Sequence, residues 1–433
     1  MRYTKKYMNW FLVAVMTVVG FSMTACEDEP DKYEIADGVP TVKYVRLSDP
    51  AAADSLLAGA YMANTICLVG DNLRSIYELY FNDQKAVLNT SYITDHTLLV
   101  DVPKTIPTDV TDKIYMVTKS NETISYDFKV LVPSPTVNSM SCEYAKPGSE
   151  VTIYGDYFLD DANVPLTITM AGNVEVTKIT NITKTAVSFI LPDNAPEGYI
   201  NVKSIYGTGR SKFQYMDKRN ILFDWDGSHG GITLGNGWRK GVVRDSNPEG
   251  IDGSYIYFGG AAMKGEVGGT WAEDEFSFNY WPDPANDYPE LSSLPEFAEM
   301  IKEYGVSNLQ MKFEVYVPSS NPWMSSALQA IFSSNDNVTL GTGNNSYFSD
   351  TSIPRGLWIP WKDAGTYDTG DKWVTVSMKL SEFNKTHDGN KCDNALDKSR
   401  MTGLTFFVWN GGVAGTDCNP VICIDNIRVV PIE

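Results

Sequence analysis

Ile66-Cys67-Leu68-Val69-Gly70-Asp71-Asn72-Leu73 returns about 85 residues further on as Val151-Thr152-Ile153-Tyr154-Gly155-Asp156-Tyr157-Phe158. Both runs are apolar up to a Gly-Asp pair and end on another apolar residue. Their flanks repeat as well. Pro40-Thr41-Val42 recurs as Pro135-Thr136-Val137, and residues 97–103 (TLLVDVP) recur as residues 186–192 (AVSFILP). Two units of one design follow, residues 40–133 and 134–216. In each, short β-rich runs are broken by Gly, Asn, Asp and Pro, the pattern of a small antiparallel sandwich. Gly70 and Gly155 read as turn glycines, placed where a Cβ would oppose the backbone. Val132-Pro133-Ser134-Pro135 joins the units, and its prolines stiffen the hinge.

The repeat stops after Met216, and residues 217–433 are too long for a third such unit. Residues 308–317 alternate, with Leu309, Met311, Phe313, Val315 and Val317 on one face and Gln310, Lys312, Glu314 and Tyr316 on the other. Val374, Val376, Met378 and Leu380 alternate in the same way, and residues 421–430 form a closing strand. One helix is expected, opened by Pro295, with Phe297, Met300, Ile301 and Tyr304 on one face and Gly305 at its end. The fold class is all-β: two small sandwiches, then a larger sandwich with a short helix.

Composition narrows the function. Of 433 residues, 43% are hydrophobic and 21% charged, which is globular composition, and the net charge of −19 disfavours nucleic acid and polyanionic glycans. The 3 histidines (His96, His229, His387) lack metal-site spacing, so a metal or cofactor is not expected. Asp224-Trp225-Asp226-Gly227-Ser228 starts like a calcium loop, but the later ligands do not follow, and it reads as a structural turn. Apart from Cys26, the cysteines are Cys67, Cys142, Cys392, Cys418 and Cys423, an odd set without a C-x-x-C pair; Cys392 with Cys418 is one conceivable staple. Aromatic residues are 12% of the chain, including 10 Trp.

Residues 1–25 read as a signal peptide: Arg2, Lys5 and Lys6, then an apolar run over residues 10–21, then Ser22-Met23-Thr24-Ala25-Cys26. Met23-Thr24-Ala25-Cys26 resembles a bacterial lipobox, with Met23 in place of the usual Leu, which implies a lipid on Cys26 and a membrane anchor. Glu27-Asp28-Glu29-Pro30-Asp31 opens an acidic tether over residues 26–39. It is similar to the export signal of surface lipoproteins from polysaccharide-utilisation systems, which implies an outer-membrane protein facing outward.

The repeated apolar–Gly-Asp units resemble the IPT/TIG immunoglobulin-like family over residues 40–133 and 134–216. Leu222-Phe223-Asp224-Trp225-Asp226-Gly227, Lys372-Trp373-Val374-Thr375-Val376 and Ile424-Asp425-Asn426-Ile427-Arg428 are similar to segments of carbohydrate-binding sandwiches. With the lipobox, the domain order resembles the B-type surface glycan-binding proteins of polysaccharide-utilisation loci. The resemblance implies a non-enzymatic protein that captures a neutral β-glucan, xyloglucan above all, and hands it to an outer-membrane glycan transporter complex. Mannan is the alternative ligand; an adhesin or a glycosidase is the alternative class.

A pyranose offers an apolar C–H face and a rim of hydroxyls, so a binding site needs aromatic plates beside polar groups. Trp323 (after Asn321-Pro322), Trp358 and Trp361 (either side of Pro360) lie in Pro-broken stretches and are the expected platform, with Tyr280 and Trp281 as its flank. Trp225, Trp238, Trp373 and Trp409 sit in strand-like runs and are expected to pack in the core or at an edge. The sequence does not place Trp271.

Overall fold

In a computed structural model of the chain, the described residues are 33–226, 242–268, 275–334, 349–409 and 412–433. Cys26, the signal segment, Gly227, Ser228, Trp238 and Trp271 therefore lie outside them. The chain divides into two compact units, Met1–Val132 and Pro133–Glu433.

The first unit pairs a sheet of Thr41–Leu47, Thr65–Asp71 and Thr97–Asp101 with a four-stranded sheet centred on Ile76–Phe81 and Lys113–Thr118. Ile66, Leu68, Leu79, Leu98, Ile114 and Met116 fill the space between them. The second unit begins with the other small sandwich, whose strands form an eight-stranded sheet because Val137 pairs in parallel with Ser211. The two repeats share one detail of register. Thr41–Leu47 slips between Val42 and Tyr44 against its neighbour, and Thr136–Met140 slips between Val137 and Ser139. Gly70 and Gly155 explain it, though not as turn residues. Each lies inside an extended strand, and a Cβ there would come within 1.8 Å of the Thr41 or Thr136 carbonyl oxygen. They are needed for close backbone approach at a bulge.

The larger domain is a sandwich of two sheets. One runs Val242–Arg244, Tyr255–Phe258, Ile422–Pro431, Leu309–Tyr316, Val374–Lys379, with Ile221–Phe223 added to the Ile422–Pro431 strand. The other runs Ser277–Tyr280, Gly403–Trp409, Ala327–Ser333, Gly356–Trp358. Leu309, Met311, Phe313 and Val315 project from the first sheet into the core, and Phe313 meets Phe406 of the second edge-to-face at 5.4 Å. The helix spans Pro295–Tyr304 and ends where Gly305, at φ +73°, turns the chain. Phe297 is its buried anchor, whereas Tyr304 is exposed.

The opposite face of Leu309–Tyr316 is not solvated. Lys312 and Glu314 are buried against the second small sandwich. Glu143, from that sandwich, accepts from Lys312 Nζ at 2.6 Å and from Arg428 at 2.8 Å. Arg428 also clasps Glu314, at 2.8 and 3.1 Å. Thr375 Oγ1 donates to Glu314 and accepts from the Glu143 backbone N–H at 2.7 Å. Two cations and two carboxylates so matched tolerate burial, and no one member can be removed cheaply.

The cysteines contribute no cross-link: Cys67, Cys142, Cys392, Cys418 and Cys423 are free and buried, so a Cys392–Cys418 staple is absent. Asp224 and Asp226 cap local backbone: Asp224 Oδ1 accepts from the Asp226 N–H and Asp226 Oδ1 from the Ser254 N–H.

Candidate functional site

The loop tryptophans expected to form an open platform turn inward. Trp323 is fully enclosed; its indole N–H donates to the Ser325 carbonyl, and its backbone bridges to Tyr367 through two 2.9 Å hydrogen bonds. Trp361 is buried, and its indole N–H donates to the Ser326 carbonyl at 2.8 Å. Trp358 is half-buried and wedged edge-to-face among Trp323 (5.4 Å), Tyr367 (5.5 Å) and Phe313 (5.8 Å). Tyr280 is also buried, with its hydroxyl on the Pro289 carbonyl at 2.7 Å, and burial pushes its phenol pKa up. Trp323, Trp361 and Tyr280 satisfy their polar atoms on nearby carbonyls, Trp323 and Trp358 pack edge-to-face on each other, and Tyr280 packs edge-to-face on Phe223 at 5.3 Å. They form a plug, and the expected platform is corrected accordingly. Trp281 is buried as well, but on the opposite side of the sheet.

Trp281 belongs to the outward face of the four-stranded sheet. Strand register sets this face residue by residue. Ser277, Phe407, Gln329 and Leu357 form one row, because Phe407 pairs with both Ser277 and Gln329, and Gln329 with Leu357. Asn279, Thr405 and Ile331 form the next. Trp281, Ile331, Ile353 and Phe407 cluster there, with half-buried Trp409 packed on them. Trp409 lies parallel to Phe407 (centroids 6.0 Å apart, planes at 16°) and 5.5 Å from the His387 ring. Trp409 packs on this face as an edge aromatic and, half-buried beside His387, keeps part of its surface open.

Between these rings stand polar groups with unused hydrogen-bonding capacity. Asn279 and Gln329 are fully buried. Among the described residues, neither atom of the Asn279 amide, nor Gln329 Nε2, nor Ser333 Oγ has a partner. Gln329 Oε1 accepts from Arg355 Nη1 at 2.8 Å, and Arg355 is further held by the Asp350 carbonyl at 3.1 Å. A buried amide left unmade costs about 1–3 kcal/mol, so several on one face are costly unless something else meets them. His387 is kept neutral: burial holds its imidazole below the usual range, Asp388 opposes this, and Arg355 adds to it. The parts of this face open to an uncharged sugar are the half-buried Trp409 ring and the neutral His387 imidazole beside it. No carboxylate pair lines the face among the residues named.

The sequence carried this face in three runs, Ser277-Phe278-Asn279-Tyr280-Trp281, Ala327-Leu328-Gln329-Ala330-Ile331-Phe332-Ser333 and Gly403-Leu404-Thr405-Phe406-Phe407-Val408-Trp409. Each puts apolar residues at one parity and polar residues at the other, mixed with aromatic ones in the first and third runs.

Comparison with known proteins gives the family. Residues 215–431, half of the chain, match the family described as surface glycan-binding protein B xyloglucan binding domain. The crystal structure of a surface glycan-binding protein from Prevotella bryantii is 41% identical, with a TM-score of 0.80, over 92% of this chain and 100% of that one. An IPT/TIG domain-containing protein of Bacteroides ovatus is 26% identical over 232 residues, which are 49% of this chain and 45% of that protein. The chain thus spans less than half the length of that curated relative. With two Ig-like sandwiches ahead of a matching C-terminal domain, the chain belongs to the surface glycan-binding protein B family.

Proposed function

We propose that the protein captures a neutral β-linked plant polysaccharide of the xyloglucan class at the cell surface and does not cleave it. The observation that carries the reading is the match of residues 215–431 to a domain described as xyloglucan-binding. The half-buried Trp409, stacked on Phe407 beside His387, supplies a physical mechanism: its open surface stacks on a pyranose face. The net charge of −19 favours neutral over acidic chains.

The lipobox-like run ending at Cys26, followed by Glu27-Asp28-Glu29, supports an anchor in the outer membrane with the protein facing outward. In that position it would pass bound glycan to an outer-membrane transporter complex. The Pro-containing segment 132–135 supports a spacer role for the first sandwich.

Affinity electrophoresis against xyloglucan, mixed-linkage β-glucan and mannan, followed by calorimetry on the mature chain, tests the ligand. Retardation by xyloglucan with no release of reducing ends is expected; retardation by none of the three sinks the reading. Cys26→Ala is expected to move the protein out of the membrane fraction. Protection of the wild-type protein from protease added to intact cells would contradict the outward location.

A further inference from the structure

A second cleft lies within the Pro133–Glu433 unit, between the second small sandwich and the C-terminal domain, and neither the sheet face nor the family match accounts for it. Its volume is about 700 Å³, within the range of small-molecule sites. Tyr154 and Glu150 come from the sandwich side, and Tyr316, Asp371, Lys372 and Trp373 from the C-terminal domain.

The Tyr154 ring stands outside the buried core. It is 45% exposed, and the equivalent position of the first repeat is occupied by Val69. The repeat that meets the C-terminal domain thus carries an aromatic ring where its sister manages with a small side chain. Across the cleft Trp373 is half-buried and held in place: its indole N–H donates to the Glu249 carbonyl at 3.0 Å, and its ring meets Tyr255 at 5.3 Å and Tyr316 at 5.7 Å. The two walls are fixed relative to each other. Thr375 N–H donates to the Ser141 carbonyl at 3.0 Å, and the buried Glu143–Lys312–Arg428–Glu314 cluster sits beside that junction. A preformed cleft spends little ordering free energy on binding.

Its charges nearly cancel. Lys146 neutralises Glu249 at one end, and Lys372 stands against Asp371 and Glu150. Aromatic plates on two walls, polar groups between them and no dominant sign of charge suit a neutral polyol with flat apolar faces. We infer that this cleft is a second carbohydrate-contact site, taking about two or three pyranose units of a neutral β-linked chain with Tyr154 and Trp373 as plates. The choice of ligand class rests on the proposed function; the location of the site does not.

Hydrogen exchange on the mature chain, with and without saturating xylogluco-oligosaccharide, tests both sites at once. Slowed exchange is expected at residues 150–156 and 369–374 as well as at 277–280 and 403–409. Tyr154→Val, which installs the residue the sister repeat uses, is expected to abolish the protection at 150–156 and 369–374 and leave that at the sheet face intact. Protection of the sheet face alone, or unchanged cleft protection in Tyr154→Val, overturns the second site while leaving the proposed function standing. Protection of neither region, with the protein folded, overturns both.

Discussion

The two faces of the four-stranded sheet are built from the same strands and do opposite things. Toward the core it presents Phe278, Tyr280, Leu328, Phe332, Leu404 and Phe406, all apolar or with the single polar atom satisfied. One residue along each strand, the outer face presents Asn279, Gln329, Ser333 and Thr405 among Trp281, Phe407 and Trp409. Burial does not separate the two faces, for Asn279 and Phe278 are both fully buried. Satisfaction does. The core face leaves no comparable hydrogen-bonding capacity among the residues named, and the outer face leaves several groups unmatched. Stability is concentrated on the first face, and the proposed function places recognition on the second.

The largest expected effect tests the core side. Trp323→Ala empties an enclosed site and is expected to cost about 3–5 kcal/mol of stability, read from denaturant unfolding. If stability holds and glycan affinity collapses, Trp323 is a binding plate after all and the division between faces fails. Next is Trp409→Ala, expected to cost about 1–3 kcal/mol of binding, roughly 5- to 150-fold, with a smaller change in unfolding midpoint. Calorimetry showing equal affinity would remove the outer face as the site. Asn279→Leu sharpens the contrast, since it replaces an unpartnered amide by an apolar group of similar shape. A gain of about 1–2 kcal/mol in stability is expected. A loss of stability would mean that the amide is already paired.

The smallest effect concerns pH. The His387 pKa is depressed, so the folded state binds that proton less readily than the unfolded chain does. Its contribution to stability is therefore complete above the unfolded value of about 6.5 and is lost as pH falls through the lower folded value. Glycan affinity is expected to change less than about twofold between pH 7 and 8.5 and to weaken only in acid, where an imidazolium would form near Arg355. His387→Gln should flatten the acid limb; a steep change above pH 7 would point to another titrating group.

How much of this was readable depended on which physical signal each residue carried. The repeat and the strand alternation were legible because period-two burial writes itself into sequence: Leu309, Met311, Phe313 and Val315 were placed correctly from spacing alone. The same alternation said that Lys312 and Glu314 face away from the core, but not that a second domain covers them. The glycines at 70 and 155 were noticed for the wrong reason, since close backbone approach and positive φ leave the same mark in a sequence. The tryptophans beside Pro322 and Pro360 were misplaced because proline shows that a strand is broken and says nothing about which way the loop folds. Which face Trp409 packs on was not legible, because a strand-borne aromatic looks alike on either face until register is known.

Glu143 has a consequence for how such proteins are assembled from parts. Counted by repeats, the chain offers a tidy seam near residue 216, where one sandwich gives way to the next domain. Counted by charge, the seam lies elsewhere: Lys312 and Arg428 on one side share a counter-ion that is encoded on the other. A recombination event or a cloning boundary at residue 216 would leave Lys312 and Arg428 without their shared Glu143 carboxylate and uncover the face on which they sit. The boundary that leaves every ionic partner in place is the Pro-rich joint before Pro135. Above that joint, sandwich and binding domain are inherited together or not at all.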